Sequence, residues 1–241
     1  MIRVILVAAA FLLVGPANAP AKASPRSVGA PSALRGAPPS AWASIPATFP
    51  TPLAWQSVPS TVAVRGGAGA DLRLFDVTIV PGGLIAIGGD RLGGVILSSP
   101  DGVQWTRAAD NASLDGALLT GLARGAGLTA IIGRYPGSNR GFLWVSPDGA
   151  NWHLQGAPFT GGTSVTDIAA SPTAYVVSGT VKTRADATGT RRTVGAVWTS
   201  ADGHSWDQIL LPAVATDTEF RPTLVRYAGS RFVAFGRFII D

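Results

Sequence analysis

The sequence contains no cysteine, one methionine, one glutamate and two histidines among its 241 residues. Without cysteine the chain can form no disulfide, no thiol nucleophile and no cysteine-ligated metal site. The two histidines, His153 and His204, lie 51 residues apart and form no metal-binding motif. We therefore predict no metal and no cofactor, and we expect both histidines to be exposed on outer strands or turns.

Charged residues are also scarce, at 14% of the chain. Residues 53–241 hold 15 basic and 14 acidic side chains, because four of the basic residues precede this segment. A balance so near neutrality is not typical of a nucleic-acid-binding protein, so we predict no nucleic-acid partner. Glycine and proline are abundant instead, with 30 and 18 copies, and this composition favours a turn-rich all-β protein.

Long apolar runs are absent outside the N-terminus. Arg3 precedes the apolar stretch Val4–Val14, which is too short to span a bilayer comfortably, and small residues at Ala21 and Ala23 match a cleavage site. We predict a signal peptide at residues 1–23 and a secreted or extracytoplasmic location; the alternative is an uncleaved membrane anchor. Residues 24–52 are rich in Pro, Ala and Ser and are predicted to form an extended linker.

One seven-residue phrase, Ser-x-Asp-Gly-x-x-Trp, occurs three times. The copies are Ser99–Trp105, Ser146–Trp152 and Ser200–Trp206; they begin 47 and then 54 residues apart. A recurrence at this spacing indicates a repeat architecture. Asp-Gly favours a tight turn, because Gly adopts positive φ without steric cost and Asp bonds backbone amides two residues on. The Trp then opens the next strand as an apolar anchor. Three equivalent copies argue that the Asp residues are structural, since one active site does not need an acid from every repeat.

The phrase resembles the Asp-box, or BNR repeat, of sialidase-like β-propellers, written Ser-x-Asp-x-Gly-x-x-Trp, with the residue between Asp and Gly missing. The resemblance covers roughly residues 53–241. It implies an all-β fold, a β-propeller of four-stranded antiparallel blades. In that family the box is a structural turn between the two outer strands of a blade, away from the active site.

The repeats align as three full units and part of a fourth. The predicted strands of the full units are Leu72–Val80, Leu84–Gly88, Gly94–Ser98, Trp105–Ala108, Ala117–Ala123, Leu128–Gly133, Gly141–Val145, Trp152–Gln155, Val165–Ala170, Ala174–Gly179, Val194–Thr199 and Trp206–Leu211. Thr223–Tyr227 and Arg231–Gly236 repeat the first two strands, and each second strand carries apolar residues closed by Gly. Leu53–Pro59 matches an outer strand without its blade.

Three arrangements remain open. The chain closes as a small four-bladed ring, with the outer strand supplied by Leu53–Pro59; or it shares a larger ring with another chain; or it is a fragment of a longer product. Open repeat ends expose strand edges, so self-association through those edges is expected.

We predict a secreted, non-enzymatic binding or scaffold module with no catalytic residues, whose ligand is a carbohydrate or a protein. The insert Lys182–Thr193 is its best contact loop. Asn111-Ala112-Ser113 also matches a glycosylation acceptor, a short match that can arise by chance.

The alternative function is a sialidase-like glycoside hydrolase. For such an enzyme the resemblance implies an Arg cluster, a Tyr with a Glu partner as nucleophile, and an acidic residue as acid/base. The chain offers one glutamate, Glu219, and three tyrosines: Tyr135, Tyr175 and Tyr227. Phe220-Arg221-Pro222 resembles the family's Arg motif without its Ile and lies late in the chain. We interpret Glu219 and Arg221 as a surface pair.

Overall fold

Fourteen strands make up four antiparallel sheets in the part of the chain that the computed structural model describes, residues 71–108, 111–125, 127–138, 140–159, 164–183, 192–212 and 218–240. The predicted signal peptide, the linker and the strand Leu53–Pro59 lie outside these residues, as does most of the insert Lys182–Thr193.

Neighbouring strands within each sheet follow one another in the chain. Sheet 1 contains β1 (Arg73–Val80), β2 (Gly83–Asp90), β3 (Gly93–Ser99) and β4 (Thr106–Arg107). Sheet 2 contains β5 (Leu118–Gly125), β6 (Leu128–Arg134), β7 (Gly141–Ser146) and β8 (His153–Phe159). Sheet 3 contains β9 (Ser164–Ala170), β10 (Tyr175–Lys182), β11 (Thr193–Ser200) and β12 (Asp207–Leu210). Sheet 4 contains β13 (Thr218–Tyr227) and β14 (Phe232–Ile240). A 3-10 turn, Ala112–Leu114, precedes β5.

The all-β class and the four-stranded antiparallel sheets are confirmed, and their arrangement is propeller-like. The strands of sheet 4 are longer than predicted, because β13 starts at Thr218 rather than Thr223. Pro222 lies within β13. It lies beside a β-bulge and is opposite Gly236, a place where a strand tolerates a proline.

Every first strand carries a bulge at the same position: Phe75, Thr120, Thr166 and Thr223. The bulge also explains why glycine recurs at the same position of each second strand. A Cβ on Gly88, Gly133, Gly179 or Gly236 would collide with a carbonyl oxygen of the first strand just before the bulge. Glycine therefore allows the two strands to pair across each bulge.

The four sheets follow one another along the chain, with first strands adjacent. The Asp76 carboxylate on β1 accepts the backbone N–H of Leu122 on β5 at 3.0 Å. Asp167 on β9 repeats this contact with Val225 N on β13, at 2.8 Å. Between β5 and β9 the equivalent residue is Gly121, where a Cβ would lie 3.1 Å from Ile168 N. Two of the three junctions are thus linked by a carboxylate, and the middle one by close backbone packing.

Apolar side chains from consecutive sheets form the core between them. Ile85 and Ile96 of sheet 1 pack with Trp144 and Trp152 of sheet 2. Trp198 of sheet 3, equivalent to Trp144, is 1% exposed and packs with residues of sheet 2. Burial of these large rings supplies a core without disulfides, as the sequence requires.

The sheets have two distinct edges. We call the upper edge the one at which β1, β5, β9 and β13 begin and at which the second and third strands of sheets 1 to 3 are connected. Neighbouring sheets are in contact at this edge. Gly93 forms an antiparallel bridge with Asp115, and a Cβ on Gly141 would collide with the Val165 side chain. The lower edge carries the three Ser-x-Asp-Gly-x-x-Trp turns, which connect the third and fourth strands.

Candidate functional site

The three repeated turns at the lower edge are built by the same hydrogen bonds. The hydroxyls of Ser99, Ser146 and Ser200 each accept the N–H of the phrase Gly at 2.8 Å. The Asp carboxylate of each copy accepts two backbone N–H groups, two and three residues on, at 2.8 to 2.9 Å. Each Gly has φ between +75° and +78°. These side chains are engaged in holding the turn.

Their electrostatics agree with that role. The N–H groups of Ser205 and His204 lower the pKa of Asp202 to about 2, and the equivalent bonds lower the pKa of Asp101 and of Asp148. A carboxylate held ionised in this way is a poor general acid at neutral pH.

Asn111 of the glycosylation match also has a structural role. Its Oδ1 accepts the N–H and the hydroxyl of Ser113 and caps the 3-10 turn, while its Nδ2 donates to Trp152 O at 2.8 Å. The amide nitrogen that a glycan would modify therefore joins this turn to sheet 2.

The three tyrosines do not form the nucleophile pair that the family resemblance implies. Tyr135 donates its hydroxyl to Ser113 O, Tyr175 to Leu128 O at 2.8 Å, and Tyr227 to Gly229 O at 2.7 Å. Burial raises the pKa of Tyr135 and of Tyr175, which favours their protonated, donating forms. His153 and His204 are exposed, as predicted.

Glu219 lies at the upper edge, near the start of β13. Its Oε2 accepts Arg221 Nη2 at 3.1 Å, and the residue is only 8% exposed. Glu219 and Arg221 therefore form the ion pair that the sequence interpretation gave, but Glu219 is buried rather than at the surface. Sequence reasoning placed Glu219 outside a strand, whereas β13 extends past Pro222 and buries it.

Two features make the surroundings of Glu219 unusual. Arg221 is directly opposite Arg237 on β14, so two guanidinium-bearing residues are paired across the strands. The Nε of Arg221 is buried and has no hydrogen-bond partner. A buried donor without an acceptor is costly, and a cost of this kind is uncommon in a folded protein outside functional or strained positions.

A second feature of the upper edge is a cavity of about 320 Å³ at the start of β1. Its lining includes Asp71, Arg73, Phe75, Asp90 and Arg91. The Asp90 carboxylate is fully buried and pairs with Arg107 at 2.7 Å. Polar groups of both signs thus surround an aromatic ring.

Within the described residues, no three His, Asp or Glu side chains come close enough together to hold a metal ion. The same residues contain no helix with the length and apolarity needed to cross a membrane.

No family model and no curated protein matches the sequence. Several solved structures resemble the fold. A protein from Parabacteroides distasonis described as a glycoside hydrolase is 12% identical, with a TM-score of 0.41, over 69% of this chain and 62% of its own. A structure from the GH130 family of mannoside phosphorylases, described as containing hydrolases of β-1,2-mannosidic linkages in Candida mannan, is 11% identical with a TM-score of 0.36, over 71% and 65%. A glycosyl hydrolase from Bacteroides ovatus has the same identity and TM-score, over 71% and 64%.

The chain therefore spans less than two thirds of the length of these structures. All three are described as glycoside-acting proteins, and this finding corrects the prediction of a non-enzymatic binding or scaffold module. The alternative prediction, a glycoside hydrolase, agrees better with those descriptions. At this identity and TM-score the likeness assigns no activity to the present chain.

Proposed function

We propose that the chain is part of a glycoside-acting enzyme whose site lies at the upper edge of sheet 4. Glu219 acts there as the acid/base, and Arg221 binds an oxygen of the substrate. The observation that carries the proposal is the buried Glu219 carboxylate beside the unpartnered Nε of Arg221.

The chemistry of this cluster suits glycoside cleavage. Most glycoside hydrolases use carboxyl groups to protonate the leaving oxygen and to activate water or attack the sugar. Arg221 presents a planar set of donors, and Arg237 adds positive charge opposite it. Since the tyrosine hydroxyls bond elsewhere, the proposed chemistry uses Glu219 without a tyrosine nucleophile.

The finer description of the fold is part of the same proposal. We infer a β-propeller of the Asp-box type, with sheets 1 to 3 as blades and sheet 4 as a partial blade. Support comes from the chain order of the strands and from the same turn in each of the first three sheets. The number of blades in the functional ring stays open.

The test is hydrolysis of a panel of 4-nitrophenyl glycosides by residues 24–241. We expect release of 4-nitrophenol from at least one glycoside and a loss of at least about 100-fold in kcat for Glu219→Gln, because general acid–base catalysis contributes on that order. Arg221→Lys keeps a positive charge but removes Nε, and should raise KM.

The matched control is Asp207→Asn, which changes an exposed carboxylate on β12 of sheet 3 and should leave turnover unchanged. Thermal melting of each variant establishes that it is folded. Full activity of folded Glu219→Gln, or no cleavage of any glycoside in the panel, would overturn the proposal.

A further inference from the structure

The first sheet departs from the other three at the bulge of its first strand. Thr occupies this position in sheets 2, 3 and 4, and Phe75 occupies it in sheet 1. Thr120 and Thr166 donate their hydroxyls to carbonyls of the second strand, Ile132 O at 3.4 Å and Ser178 O at 3.0 Å. A phenyl ring cannot donate this hydrogen bond. The bond that explains threonine in sheets 2 and 3 therefore does not explain Phe75 in sheet 1.

Phe75 is exposed to solvent at 55%, a large fraction for an aromatic side chain on a strand. Its ring lies at the cavity at the start of β1. One side of the ring faces Gly89 on β2, and a Cβ at Gly89 would lie 3.7 Å from Phe75 Cε2. Because Gly89 has no side chain, β2 does not cover the ring at this point.

Polar groups of both signs lie around this ring. Asp71 supplies a carboxylate, and Arg73 and Arg91 supply guanidinium groups, with Asp71 and Arg73 3.6 Å apart; the buried Asp90 carboxylate is engaged with Arg107. Carboxylates accept and guanidinium groups donate hydrogen bonds, so the wall can bind hydroxyl groups in either role. A cavity of about 320 Å³ is large enough for one sugar ring, and its aromatic surface with polar groups beside it suits a small polar ligand.

We propose that this cavity binds one pyranose ring of a neutral saccharide, with the apolar C–H face of the sugar against Phe75 and its hydroxyls on Asp71, Arg73 and Arg91. The inference deepens the proposed function and rests on it for the class of ligand. Since the cavity and Glu219 both lie at the upper edge, the cavity would hold a sugar unit of the substrate other than the one cleaved.

The test is saturation-transfer NMR of residues 24–241 with three neutral probes, methyl β-D-mannopyranoside, methyl β-D-glucopyranoside and methyl β-D-galactopyranoside, and with sodium glucuronate as an anionic comparison. We expect transfer to the ring protons of at least one neutral glycoside. Phe75→Thr should reduce that signal at least about fivefold while the melting temperature is retained, because it installs the residue that the other three bulges carry.

The matched control is Phe235→Thr, which removes another partly exposed phenylalanine, on β14, and should leave binding unchanged. Equal signals from Phe75→Thr and the parent chain, no signal from any neutral glycoside, or a signal confined to glucuronate would each overturn the inference.

The two proposals fail in different ways. Neutral-glycoside binding that depends on Phe75, with no glycoside cleaved, removes the proposed reaction and leaves the subsite. If cleavage depends on Glu219 but Phe75→Thr changes neither KM nor glycoside binding, the saccharide site is overturned and the proposed reaction is not.

Discussion

At the scale of single residues, the carboxylates of the repeated turns and the buried Asp167 respond to pH in opposite directions. Hydrogen bonds from Ser205 and His204 lower the pKa of Asp202 to about 2, so its contribution to stability is present above about pH 4 and is lost as the pH falls toward 2. Burial is the largest cause acting on Asp167 and raises its pKa, even though Arg226 and Val225 N bind the carboxylate. Its contribution is therefore present at low pH and is lost as the pH rises through the raised pKa.

We expect Asp202→Asn to lower the urea midpoint of unfolding at pH 7 and to lower it much less at pH 2.5. At the lower pH the carboxyl is protonated in the unfolded chain and close to its pKa in the folded protein, so most of its contribution is already lost and the two proteins differ less. Unfolding followed by tryptophan fluorescence at the two pH values measures this difference.

The control is Asp71→Asn, which removes an exposed ion pair with Arg73. Such pairs contribute little to stability, so the midpoint should change little at either pH. An equal loss at both pH values for Asp202→Asn would show that the ionised carboxylate does not stabilise the turn.

At the scale of the strand pair, the recurrent glycine opposite each bulge allows the first and second strands to approach. We expect Gly179→Ala to destabilise the protein by at least about 2 kcal/mol, because its Cβ would overlap the Ser164 carbonyl and the strands would have to separate. Chemical denaturation of the two proteins measures the change.

Gly116→Ala is the matched control. Gly116 has φ +70° and nothing within 4 Å of its Cβ position, so only the strain of positive φ applies, on the order of 1 kcal/mol. A cost for Gly179→Ala no larger than that for Gly116→Ala would contradict the close approach of the strands as the reason for glycine in the second strands.

At the scale of the whole molecule, β1 exposes a row of apolar side chains. Leu74, Val77 and Ile79 are 52%, 54% and 78% exposed. Exposed apolar patches of this kind favour association. We expect light scattering of residues 24–241 to give a mass above that of the monomer, and the double variant Val77→Lys, Ile79→Lys to lower it.

Leu210→Lys is the comparison, because Leu210 is similarly exposed, at 52%, but belongs to the outer strand β12. It should leave the mass unchanged. A monomeric parent chain would contradict the expected self-association, and an equal effect of Leu210→Lys would place the contact elsewhere.

The sequence by itself determined the repeat unit. Ser, Asp and Gly of the phrase bond to atoms at most three residues away, so their turn is a local property that spacing predicts. The strands before and after each turn followed from apolar alternation, and the glycine of each second strand marked its place in the repeat. The backbone atoms that exclude a Cβ at these glycines belong to the paired first strand, and the sequence pattern alone did not identify them.

Only the tertiary structure decided which side chains meet at the upper edge. Glu219 is buried because β13 continues through a bulge at a proline, and Arg221 meets Arg237 because of the strand register. Phe75 stands out only when the bulges are aligned by their pairing. These properties depend on contacts between residues distant in the chain, and a local pattern carries little information about such contacts.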